Sequence, residues 1–129
     1  MHALKKDTDN LKVIKARAHF LKIQNSGKKW VSHGLVVQAK DEGHEHIGIG
    51  YTVTKRTDKS AVKRNRIKRR LRAVAAEILP HHAKVGVDYI LVGRPLTATR
   101  PYEQLKQDLI WCLGKMDLLK DEKNSNANF

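Results

Sequence analysis

The stretch that decides the fold runs HIGIGYTVTKRTDKSAVKRNRIKRRLRAVAAEILP, from His46 to Pro80. Its first part alternates. Ile47, Ile49, Tyr51 and Val53 fall on every second residue, the period of a strand with one buried face. The period then changes: Ile67, Leu71, Val74 and Ile78 follow i, i+4, i+7 and i+11, a narrow apolar stripe on a helix. Ser60 is placed to cap the start of that helix and Pro80 to end it. At about 100° per residue, Lys68, Arg69 and Arg72 point away from the stripe, while Lys63 and Arg70 flank it. Such a helix buries its stripe against a sheet and leaves its arginines in solvent. The glycines at 48 and 50 leave the second face of the strand bare, open to close approach by something large.

Working outward, residues 1–12 are polar and read as a flexible N-terminus. Val13 to Asn25 carries apolar residues at helical spacing, and Gly27 is suited to the left-handed conformation that follows a last helical turn. Trp30 to Ala39 is rich in strand formers, with Gly34 a bend that can divide it into two strands. Asp41, Glu42 and Gly43 form a turn. Beyond the central helix, Val87 to Gly93 is another strand. Thr99 is placed to cap a last helix with Pro101 in its first turn and a stripe of Tyr102, Leu105, Leu109, Leu113 and Met116. Residues 120–129 read as a disordered tail. The expected fold is a two-layer α+β sandwich in the order α-β-β(-β)-α-β-α, one domain over residues 13–119.

Charge bounds the partner. The 129 residues hold 26 lysines and arginines against 13 acids, a net charge of +13. From Lys55 to Arg72 ten residues are basic and only Asp58 is acidic, so +9 of that total sits in 18 residues. A solvated face mixes its signs; this run does not, and it lies between two apolar strand patterns. A polyanion is the implied partner. Binding to a membrane surface needs an apolar face beside the basic one, and no run of about 20 apolar residues offers a span. The N-terminus lacks the apolar stretch of a secretory signal, and a single cysteine suits a cytoplasmic chain.

Arg64, Asn65 and Arg66 form the sharpest constellation. Planar guanidinium groups match pairs of phosphate oxygens, the start of a helix favours anions, and Asn65 offers both a donor and an acceptor to ribose or a base edge. Arg64 and Arg66 lie off the apolar stripe, so their replacement is expected to spare folding. Other constellations are weaker. His44 and His46 lack a third ligand, so no metal site is expected. Cys112 falls near a core stripe as an inert thiol, and Trp30 and Tyr51 read as core. No nucleophile–base set or paired carboxylate is present, so no protein catalytic site is expected.

The segment AVKRNRIKRRLR (61–72), preceded by GIGYTVTKR (48–56), resembles the signature of the bacterial ribonuclease P protein component. The helix carrying Phe20, then Gly27 and Trp30, and the later DYILVGRP (88–95), extend the resemblance over Leu11 to Met116. It implies an RNA-binding subunit that assists a catalytic RNA in removing the 5′ leader from precursor tRNA, with hydrolysis and the Mg²⁺ ions belonging to the RNA. The implied partners are ribonuclease P RNA and precursor tRNA, with no membrane and no obligatory protein partner. Lys55, Arg56, Lys59, Lys63, Arg64, Asn65, Arg66, Lys68, Arg69 and Arg70 would contact the RNA. The leader would cross a cleft between the first helix and the sheet, near Phe20, Gln24, Gln38, Gly48 and Gly50. A left-handed β-α-β crossover through the basic helix is implied as well, against the general right-handed rule. Thr57 to Ser60 departs from the family's usual glycine-asparagine turn, and Gln24 and Gln38 stand where aromatics are common. The alternative class is a ribosomal or RNA-chaperone protein with no role in cleavage.

Overall fold

The computed structural model describes residues 11–120. Its elements are β1 (Leu11–Val13), α1 (Arg17–Ser26), β2 (Lys28–Val31), β3 (Leu35–Asp41), β4 (Ile47–Thr52), α2 (Ala61–His82), β5 (Val87–Gly93) and α3 (Tyr102–Lys115), with a short 3-10 turn at Pro95–Ala98. The five strands form one sheet in the order β1-β4-β5-β3-β2. β5 pairs antiparallel with β3 and parallel with β4, so β3 and β4, consecutive in the chain, are held apart by one strand width. α2 connects the parallel neighbours β4 and β5.

Alternation along the strands separates two layers. Leu35, Val37, Ala39, Ile47, Ile49, Val87, Tyr89 and Leu91 face α2 and α3, where Ile67, Leu71, Val74, Ile78, Leu105, Leu109 and Leu113 complete the main core. Burying such side chains is worth roughly 1.5–3 kcal/mol each before chain entropy opposes it. The stripes read from the sequence are thus the ones that pack. Cys112 is fully buried among them. The opposite face carries a smaller cluster of Ile14, Ile23 and Ile90 with Phe20 and Val92 packed against it.

Several boundaries move. Leu11 and Lys12 are not loose: with Val13 they form β1, pairing with Ile47, Gly48 and Ile49, and α1 starts only at Arg17. Residues 1–10 and 121–129 lie outside the described residues. Lys120 is tied down, its N–H donating to the His82 carbonyl at 2.7 Å and its Nζ to that of Pro80 at 2.6 Å. α2 runs two residues past Pro80, because a proline this late forgoes one bond while Ala83 N–H still reaches the Leu79 carbonyl at 3.0 Å. Gly27 is extended (φ −96°), not left-handed. A Cβ there would lie 2.3 Å from the Ala39 carbonyl oxygen, so glycine serves the close approach of α1 to β3. Thr99 ends the 3-10 turn, and Pro101 takes the cap position of α3. Trp30 is 38% exposed on the edge strand β2, its ring 6.1 Å from that of Trp111.

Candidate nucleic-acid interface

The basic segment begins in a wound loop. Thr57 N–H donates to the Thr54 carbonyl at 2.9 Å, and Ser60 N–H donates to Asp58 Oδ1 at 2.9 Å. Asp58, the one acid of the run, therefore serves the turn. Ser60 Oγ accepts from Lys63 N–H at 3.3 Å, the cap expected of it. Lys55, Arg56, Lys59, Lys63, Asn65, Arg66 and Arg69 are exposed, and Arg64, Lys68 and Arg70 half-buried. The run thus crosses the loop and the first three turns of α2 with most of its cations in solvent.

Three of the arginines also hold the fold. Arg64 Nη1 donates to the carbonyls of Asp58 (2.9 Å) and Lys59 (2.8 Å). Arg66 Nε donates to the Ala98 carbonyl at 2.9 Å. Arg70 Nη2 donates to the Arg100 carbonyl, with its Nε buried and unpartnered. Arg100 in turn forks onto Asp108, Nε to Oδ2 at 2.5 Å and Nη2 to Oδ1 at 3.0 Å. Arg64 and Arg66 do lie off the apolar stripe, and each also ties α2 to a neighbouring loop. Arg70 is turned toward the protein. Arg69 is exposed and has no bond to protein among the described residues. Arg72 sits 5.8 Å over the Tyr51 ring, whose burial pushes the phenol up to about 12.

On the smaller face of the sheet, pairing registers set out two rows. Lys29, Gln38, Ile90 and Gly50 form one, and Val31, Val36, Val92 and Thr52 the next, at the sheet end where α2 begins. Phe20 of α1 covers Gly50, where a Cβ would lie 2.6 Å from its Cζ. Gly48 is sealed too: a Cβ there would meet Asp88 Oδ1 at 2.0 Å and Ile14 Cδ1 at 3.3 Å. The glycines therefore make room for the chain's own helix, side chains and buried carboxylate, and neither forms an open floor. What stays open beside α1 is the Val31–Val36–Val92–Thr52 row, with half-buried Phe20 and Gln38 at its border and Gln24 exposed on the helix. Gln38 Oε1 is buried without a hydrogen-bond partner.

Sequence reasoning missed a second cluster. Asp88, in the apolar strand β5, accepts from His19 Nε2 at 2.6 Å and from His44 Nε2 at 2.8 Å. The His46 ring stacks on that of His44, centroids 3.7 Å apart. The signal was an aspartate heading an otherwise apolar strand, VDYILVG.

Comparison with known proteins fits this arrangement. Residues 9–117 match the family described as Ribonuclease P. The chain belongs to the ribonuclease P protein family. The ribonuclease P protein component of Paramagnetospirillum magneticum is 39% identical over 119 residues, covering 88% of this chain and 89% of that protein. That of Ruegeria pomeroyi is also 39% identical, over 84% of this chain and 89% of its own. The Staphylococcus aureus RNase P protein structure superposes with a TM-score of 0.69 at 25% identity, covering 84% of this chain and 97% of that one. The Thermotoga maritima RNase P protein shares the fold, with a TM-score of 0.69 at 21% identity over 81% and 96%. Among the described residues no helix is long and apolar enough to cross a membrane.

Proposed function

We propose that this chain is the RNA-binding subunit of a ribonuclease P, docking on the catalytic RNA through Lys55–Arg69 and guiding the 5′ leader of precursor tRNA along the open row beside α1. The observation that carries the reading is the position of the basic run. Its loop and helix start adjoin the same sheet end as Val36, Val92 and Thr52, so a polyanion on α2 lies next to an uncovered, mostly apolar strip. Phe20, at the border of that strip, offers a ring face to a leader base. Gln24 and Gln38 bring amides where aromatics would stack, which favours hydrogen bonds to base edges over stacking. Hydrolysis in this reading belongs to the RNA and its Mg²⁺ ions; the protein positions substrate and lowers phosphate repulsion.

Precursor-tRNA cleavage assayed with protein alone, RNA alone and both tests the proposal. Protein alone is expected to cleave nothing, and the pair to process at Mg²⁺ concentrations where the RNA alone is slow. Cleavage by highly purified protein, or no gain from adding it, overturns the reading; tight binding to other RNAs without that gain favours the ribosomal or chaperone alternative. Arg69→Ala isolates the electrostatics, since it removes no bond within the described protein. It should lower affinity for the RNA and flatten the log–log salt slope by about 0.7–0.9 while leaving the melting temperature unchanged. Arg66→Ala should do the same to the slope but also lower the melting temperature, through the lost bond to Ala98.

A further inference from the structure

Asp88 is 1% exposed, and both of its carboxylate oxygens are taken by imidazoles from different elements. His19 comes from α1 and His44 from the loop between β3 and β4, so the carboxylate on β5 joins three elements. A buried carboxylate is strongly disfavoured unless its charge is met, and here nitrogen donors converge to meet it. The ligand atoms of His44, His46 and Asp88 all lie within 4.8 Å of one another, and those of His19, Glu42 and Asp88 form a second such group around the same carboxylate.

We propose that His44, His46 and Asp88 form a binding site for a borderline divalent cation of the Zn²⁺ class, with His19 holding the second oxygen of Asp88. The His44 and His46 rings are stacked, 3.7 Å apart with 3° between their planes, so two imidazoles lie within reach of Asp88 but at least one ring must turn before both lone pairs meet one ion. Zinc–nitrogen bonds of about 2.1 Å in a tetrahedral set place donors roughly 3.4 Å apart. Ligand atoms within 4.8 Å of one another are close to that spacing, so closing the cluster calls for rotation of the imidazole side chains toward one point. His46 N–H faces His44 Nδ1 at 3.4 Å, which leaves His44 Nε2 as the nitrogen turned to Asp88. The cation takes the place of the proton between them, and that proton leaves to solvent. His19 acts as the outer partner that orients a ligating carboxylate. Two imidazoles and one carboxylate suit zinc, cobalt or nickel, whereas Mg²⁺ prefers an oxygen shell with several waters. Occupancy would clamp α1, the β3–β4 loop and β5 at one point.

The test is calorimetric titration of the full-length, EDTA-treated protein with Zn²⁺, and with Co²⁺ followed by its visible absorption. One equivalent should bind, Co²⁺ should show the strong bands of a low-coordinate nitrogen–oxygen site, and Zn²⁺ should raise the melting temperature. His44→Gln and His46→Gln should each weaken binding by more than about 100-fold and His19→Gln by about 10–100-fold. His33→Gln, in the turn before β3 while His44 follows the other end of that strand, should leave it unchanged. Asp88→Asn risks misfolding, so His46→Gln decides the matter. Among the described residues its ring makes no hydrogen bond, and in EDTA that variant should melt with wild type. Zn²⁺ binding that survives both His44→Gln and His46→Gln, no saturable binding at all, or equal competition by Mg²⁺ overturns the site.

Discussion

One face of the sheet is shut by two helices of 22 and 14 residues, and the other carries a single helix of ten. The shut face owns the large core. The other is held by Ile14, Ile23 and Ile90, by Phe20 lying on Gly50, and by two imidazoles on Asp88. The difference teaches where this small protein keeps stability and where it keeps adaptability. A face closed by long apolar stripes specifies the fold, and a face closed by a short helix over glycines and one polar clamp leaves part of the sheet uncovered.

The largest expected effect tests the closed side. Leu71→Ala removes a fully buried side chain from the main core and should destabilise by about 2–5 kcal/mol in denaturant titrations. Ile23→Ala, equally buried but on α1 in the smaller cluster, should fall at the lower end of that range. Its α1 amides should exchange hydrogen through local opening rather than global unfolding. Equal global losses and uniform exchange protection would break the contrast between the faces.

A smaller effect sharpens it on the open side. Phe20→Ala should weaken precursor-tRNA binding by roughly 1–3 kcal/mol and leave mature tRNA nearly unaffected. Gly50→Ala drives a Cβ into the Phe20 ring and should reproduce the same selective loss. Equal losses for both tRNAs, with a lowered melting temperature, would make Phe20 part of the fold alone.

The smallest effect concerns Cys112 on the closed side. Burial pushes its thiol up to about 11, so iodoacetamide at pH 8 should label it only as fast as the protein opens, and quickly in denaturant. In the unfolded chain the same thiol ionises near its ordinary value. Its contribution to stability is therefore complete below pH 9 and lost as pH rises toward 11, a fall that Cys112→Ala should lessen in melts across that range. Rapid native labelling at pH 8 would contradict the closed packing of α3.

What the sequence made legible was periodic. Ile67, Leu71, Val74 and Ile78 announced α2, the alternation from Ile47 announced β4, and Gly34 divided the strands flanking it. Burial repeats with the geometry of an element, so it leaves a trace in the spacing. What it concealed was tertiary. β1 is three residues long and exists only because Gly48 and its neighbours offer an edge. Nothing local tells that Phe20 will fill the space over Gly50, or that Arg66 and Arg70 will spend donors on carbonyls some 30 residues away. Trp30 looked like core because aromatics usually are, and stands half out of an edge strand. Asp88 lay within the segment read as a strand, Val87 to Gly93, while its meeting with His19 and His44 spans 69 and 44 positions of chain. The basic run was visible as charge, and its division into outward and inward arginines was not.

The strand order has a consequence for how the molecule is made. β5 joins β3 to β4, so when a ribosome has released the chain only as far as Gly86 the sheet lacks its central member. β3 and β4 cannot close on each other as a hairpin without abandoning their final partners. Two unpaired edges then wait on a segment separated from them by the whole of α2. Assembly that depends on such distant pairing is slow compared with local helix formation, and exposed edges invite association with other chains meanwhile. The polybasic loop and helix, with ten cations, are already synthesised at that stage, and repulsion between like charges on neighbouring chains opposes such association before the last strand arrives.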